Sequence, residues 1–262
     1  MSRPFWQACF TVSAWAALSL SAFGAEPESA NPAIPEVLQR VIATYASDLH
    51  GVVGMQRHFT TLIDAGIAKH TEQSDSGLLL KDGAFETAHY YRIVRDGKEF
   101  SGKDLADRDK QTNEGWSAGK IFFKEPYDKR FVADYTFTMV TPCSDCSPGT
   151  VAIRFVSAKH DDQHGAGTMW LEPANERVVK LTYVPYVLPP HASSGTVTES
   201  TAQTLSNLWY VVRIEETYTG HALLLRGTGT FTGLIDHFQR FASLSEGESA
   251  VRDGTIGTVV DR

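Results

Sequence analysis

Phe131-Val132-Ala133-Asp134-Tyr135-Thr136-Phe137-Thr138-Met139 is the stretch that decides the fold class. Phe131, Ala133, Tyr135, Phe137 and Met139 share one parity, and Val132, Asp134, Thr136 and Thr138 the other. Successive side chains leave a strand on opposite faces, so this period of two marks a half-buried β-strand. Val151, Ile153 and Phe155 alternate with Ala152, Arg154 and Val156 in the same way, beyond a Pro148-Gly149 turn. Further strand runs are 168–171, 177–184, 208–218, 222–226 and 229–232. Asp161–Gly167, Pro173–Asn175 and Pro189–Gly195 punctuate them with turn-forming residues. This spacing predicts consecutive antiparallel strands in one sheet or barrel.

The pattern extends upstream. Leu78 to Phe85 and Tyr90 to Phe100 each carry an Asp-Gly dipeptide between strand-like runs. Asp-Gly tolerates the positive φ of tight hairpin turns, so residues 77–101 read as a meander. Before it, Asn31, Pro32 and Pro35 announce a helix. Val37, Leu38, Val41, Ile42 and Tyr45 give it one apolar face, and it should end near Asp48–Gly51. Residues 102–119 are polar and charged, which predicts an exposed helix or long loop. Residues 246–262 are Gly-rich and polar and are expected as a flexible tail. No internal repeat or linker divides 35–245, which is expected to form one β-rich domain.

Residues 1–24 read as a secretory leader. Arg3 is the only charge before Glu26, Phe5 to Phe23 is apolar and small, and Ala22-Phe23-Gly24 offers small residues at a cleavage site. Interrupting polar residues argue against a membrane anchor. Residues 25–34 follow as a Pro-rich, flexible leader. Of 262 residues, 238 then remain; loss of Arg3 takes the formal charge from −7 to −8. No transmembrane segment is expected in that mature chain. Its compartment is oxidising, most simply a Gram-negative periplasm. The acidic balance argues against nucleic acid, which is bound through clustered Lys and Arg.

Motifs that could carry chemistry are few. Cys143-Ser144-Asp145-Cys146 precedes Ser147-Pro148-Gly149 and a strand rather than a helix, so a disulfide stapling a turn is expected. Cys143, Cys146, His160 and His164 match zinc-finger spacing, but the two His sit in turn composition and share no helix. His160, Asp161, Asp162 and His164 could do acid–base work only if they converge in a cleft. Ser117-Ala118-Gly119-Lys120 copies a Ser-x-x-Lys text whose partner motifs are missing. No enzyme, catalytic residue, cofactor or metal is expected. The 28 aromatic residues are the remaining lead. Tyr135, Phe137, Met139, Phe155, Trp170, Tyr183, Trp209 and Tyr210 sit on strand-like runs, where a curved sheet could use them to line an apolar pocket.

Asp161 through Glu172, then Arg177-Val178-Val179-Lys180-Leu181, Leu188-Pro189, Leu208 through Ile214 and Phe231…Asp236-His237-Phe238-Gln239-Arg240-Phe241 form a recurring order. It resembles the LolA/LolB/RseB half-barrel superfamily of periplasmic lipoprotein carriers and envelope sensors. The likeness covers roughly residues 35–242. Glu172 stands where Asp is usual, and the Cys143/Cys146 turn is extra. The resemblance implies a β-rich α+β fold: a single curved antiparallel sheet, open as a half-barrel, with helices covering its concave face. It implies a non-enzymatic carrier of a hydrophobic ligand, a lipid or lipoprotein acyl chain. An RseB-like module that binds an envelope protein is the alternative, and a hydrolase built on the His/Asp cluster comes third.

Overall fold

The computed structural model describes residues 34–48, 50–66, 68–117, 123–204, 208–222 and 225–257. The expected secretory leader and Ala118–Lys120 of the Ser-x-x-Lys text lie outside them.

Both Asp-Gly pairs turn the chain as their chemistry dictates. Asp82 and Gly83 have φ of 49° and 75°, and Asp96 and Gly97 of 50° and 78°. Two consecutive left-handed residues match the twist of the strands they join. They connect β2 (Lys69–Lys81), β3 (Ala84–Arg95) and β4 (Lys98–Glu99). Helix α1 (Glu36–Asp48) and strand β1 (Val52–Asp64) precede them, and α2 (Gly102–Ser117) follows. A second meander runs through β5 (Tyr135–Met139), β6 (Val151–Ser157), β7 (Gly165–Glu172), β8 (Arg177–Pro185), β9 (Ala192–Gln203), β10 (Trp209–Ala222) and β11 (Leu225–Phe241). Antiparallel pairing of β11 with β1 joins the two meanders. The result is one open eleven-stranded antiparallel sheet, ordered β4-β3-β2-β1-β11-β10-β9-β8-β7-β6-β5.

The two faces separate by strand parity. Leu78 and Leu80 of β2 pack with Val53 and Met55 of β1, whereas Leu79 packs with Phe241, Val251 and Ile256. On the first, inner face, Leu38 and Val41 of α1 close over Phe155, Met169, Leu181 and Val197. Helix α2 lies beside β3. Its Asn113 takes the backbone N–H of Ala88 and donates to the same residue's carbonyl, and Asp109 takes the N–H of Tyr90. Paired this way, the free edge of β3 cannot template another strand. Trp116 of α2 reaches the inner-face core beside Phe85.

Three sequence expectations change. Residues 246–257 are not a frayed tail: α3 (Leu244–Asp253) starts at an N-cap Ser243 that accepts from Glu246 N–H. It ends at a left-handed Gly254 and packs on the outer face. Residues 222–226 are no separate strand, because Ala222 pairs with Leu225 at the end of one long β10–β11 hairpin. Residues 192–203 (ASSGTVTESTAQ) form a full strand although only Val197 is a large aliphatic residue.

Candidate functional site

The inner face combines apolar packing with ionisable groups. Arg57 follows Val53 and Met55 on the inward parity of β1 and is 3% exposed. Its guanidinium lies 5.3 Å from the Phe59 ring centre and 5.4 Å from that of Trp116. Its Nε and Nη2 are buried without a hydrogen-bond partner. Burial pushes this guanidinium's pKa down, opposed by nearby Tyr90, Tyr210 and Tyr91.

Across the same face, Glu199 of β9 is 7% exposed. Tyr183 donates to its Oε1 at 3.2 Å, and Oε2 has no partner. Burial, reinforced by the charge of Glu125, pushes its carboxyl up to about 8. Tyr127 stands edge-on to Tyr45 of α1, ring centres 4.8 Å apart, and its buried hydroxyl faces the Glu125 carboxyl. Tyr45 donates to Glu125, whose carboxyl burial pushes up. Tyr45 and Tyr127 line a small cavity of about 10 Å³ with Val41, Val178, Trp209 and Tyr210 among others, while Arg57, Glu125 and Glu199 lie outside its lining. One water needs about that much room.

Outside lies a solvent-open groove of about 260 Å³, flanked by His50, Asp82, Asp128, Lys129 and Arg130. Tyr45 lines both spaces and separates them. Helix α1 is held over the cavity by more than its apolar side. Arg177 pairs with Asp48 at 3.1 Å, Thr44 donates to Glu176 at 3.0 Å, and Arg240 donates to the carbonyls of His50 and Asp48.

The eight aromatic and Met candidates divide. Tyr135, Phe137, Phe155 and Tyr183 meet in the core beneath α1. Trp209 and Tyr210 line the cavity. Met139 is 42% exposed near the open edge of the sheet. Trp170 is turned away, since its neighbours Met169 and Leu171 point inward, and Lys180 covers its ring at 4.8 Å. Arg57, Tyr45, Tyr127, Glu125 and Glu199 escaped the sequence reading. Arg57 left a signal there, a charge on the apolar parity of β1.

The other motifs resolve structurally. Cys143 and Cys146 form a disulfide in the β5–β6 connection. His164 is fully buried, its Nδ1 2.5 Å from Asp161 and its Nε2 3.2 Å from Asp134. His160 stacks on Tyr186 instead. The zinc-finger text therefore gathers no ligand set, and the His/Asp cluster forms a buried tie between β5 and the β6–β7 turn rather than an open cleft.

No protein-family model matches the chain, and no curated protein matches it. Solved structures do, at low identity. An outer-membrane lipoprotein-sorting protein domain from Vibrio parahaemolyticus is 13% identical with a TM-score of 0.37, over 83% of this chain and 97% of that one. A LolA superfamily protein from Nitrosomonas europaea is 9% identical with a TM-score of 0.38, over 80% and 96%. The MucA/MucB complex of Pseudomonas aeruginosa matches at 8% and 0.24, over 82% and 97%. What those proteins sort or bind does not transfer at this level of likeness.

Proposed function

We propose that this chain is a periplasmic, non-enzymatic binding or carrier protein for a hydrophobic ligand with a polar head, such as an acyl chain, taken up beneath α1. One observation carries the reading. Arg57 and Glu199 keep buried polar atoms without partners on an otherwise apolar face. Each such atom costs about 1–3 kcal/mol, and a face selected for packing alone would not retain two such residues. A ligand head group supplies the missing partners, and its chain replaces α1 against the aromatic floor.

The cavity of about 10 Å³ fits a closed state. Small-molecule pockets span roughly 300–1,000 Å³. Uptake therefore requires α1 to lift, with Tyr45 swinging aside so that cavity and groove merge. Native mass spectrometry of protein purified from its own periplasm, followed by lipid extraction, tests this. A co-purifying lipid is expected. No bound species, together with no uptake of a fluorescent fatty acid, contradicts it.

A second reading draws on the other face. Val156 and Val184 are 39% and 48% exposed and flank Ala166 across β6, β7 and β8. This apolar stripe suits the periplasmic segment of an envelope protein. Crosslinking in cells distinguishes the readings: one envelope partner lost on Val156→Glu favours the stripe.

A further inference from the structure

Two neighbouring strands bring three metal-type donors together on the outer face. His58 projects from β1, alternating with inward Arg57, while Asp236 and His237 are consecutive on β11. Consecutive strand residues ordinarily face opposite ways. Here a bulge intervenes: the β1–β11 register shifts between Gly54 and Gln56, and His237 takes a left-handed φ of 50°. Bulges re-aim side chains, and this one presents Asp236 and His237 together to His58.

The distances suit one ion. Asp236 Oδ1 lies 3.3 Å from His58 Nε2 and 2.7 Å from His237 Nδ1. All three donor atoms lie within 4.8 Å of one another. Two ligands held about 2.0–2.1 Å from zinc at the tetrahedral angle stand about 3.3 Å apart. The spacing from His58 to Asp236 is at that value, and rotation of the half-exposed His237 ring out of its hydrogen bond to Asp236 adjusts the other two. Behind His58, Asp75 of β2 accepts from Nδ1 at 2.8 Å. That contact fixes the ring and presents Nε2, as in carboxylate–histidine–metal arrangements. Arg92 stands 3.9 Å from the other oxygen of Asp75, outside the donor set. His58, Asp236 and His237 are 38–50% exposed, so an ion can reach them and keep water in a remaining position. Two imidazoles and one carboxylate favour borderline first-row cations over calcium or magnesium.

We propose that His58, Asp236 and His237 bind a divalent first-row transition-metal ion of the Zn2+ class, with Asp75 as positioning carboxylate. The test uses tag-free protein, Co2+ titration followed by visible absorption, and Zn2+ titration by calorimetry. One Co2+ per chain is expected, displaced by Zn2+. His58→Ala and His237→Asn should each weaken binding at least tenfold; Asn tolerates the left-handed backbone at 237. Asp75→Asn leaves every ligand in place and should weaken affinity about 10–100-fold at unchanged stoichiometry. It decides the matter if either ligand variant fails to fold. His160→Ala should change nothing. Absence of Co2+ absorption and Zn2+ binding in the wild-type protein overturns the proposal, as does binding that survives all three of the first substitutions.

Discussion

The sheet carries a helix on each face, and the two interfaces are built differently. Beneath α3 and the turn after it the contacts are Leu79, Phe241, Ala250, Val251 and Ile256, and the polar groups there are paired: the Tyr91 hydroxyl donates to the Val251 carbonyl at 2.6 Å, Gln56 donates to the Ile256 carbonyl at 2.9 Å, and Gln239 accepts from Gly257 N–H at 2.8 Å. On the opposite, inner face, equally buried Arg57, beside Trp116 of α2, and Glu199 of β9 each keep an unpartnered atom. Burial is the same on both sides; polar satisfaction is not. The α3 interface behaves as structure alone. The inner face sacrifices stability, and that sacrifice motivates the proposed ligand site.

Substitutions can break this contrast. The largest effect belongs to the α3 side. Leu79→Ala, from a fully buried position, should cost about 2–5 kcal/mol in denaturant unfolding while ligand uptake per folded chain stays unchanged. Next comes Glu199→Gln. The native carboxyl keeps its proton up to about 8, against an ordinary value of 4.5 in the unfolded chain. Between those values the native state binds more protons, so wild-type stability falls as pH rises through this window. The variant should lack that fall and be more stable at pH 8, by an amount on the order of 2 kcal/mol. A flat wild-type profile contradicts the assignment. Arg57→Met should stabilise by about 1 kcal/mol or leave stability unchanged, because an unpaired buried cation is replaced by an apolar chain of similar length. Ligand retention should drop at the same time. Smallest of all, Met139→Ala should move stability by less than about 0.5 kcal/mol and leave uptake unaltered.

The outer face adds its own contrast. His164 and His58 each stand between two aspartates with both nitrogens in contact, yet His164 is wholly buried, while His58 is accessible and has His237 beside it. The same side chain serves as a tie in one place and as a candidate ligand in the other.

Much of the sheet was legible because its cues are local. Asp82-Gly83 and Asp96-Gly97 each settle a hairpin, and the parity of Tyr135 and Phe137 settles a buried face. Strand β9 hid because Ser, Thr and Gly dominate it, and pairing with β8 and β10 supplies what its own side chains lack. Helix α3 was legible and missed: Ser243-Leu244-Ser245-Glu246 is a capping-box text and Gly254 a stop signal, both obscured by the polar composition. The site was less accessible. Glu199 gains its character from Tyr183 and Glu125, distant in sequence, and His237 joins His58 only through a bulge. Parity alone also misplaced Trp170 and Met139, because alternation names a face without saying how far cover extends along it.

Uptake of a fluorescent fatty acid by delipidated protein, wild type against Arg177→Ala, tests the central claim most directly. Arg177 pins the end of α1 through Asp48. Saturable uptake of about one molecule per chain is predicted, faster when that pin is removed. No uptake by either protein would contradict a ligand site beneath α1.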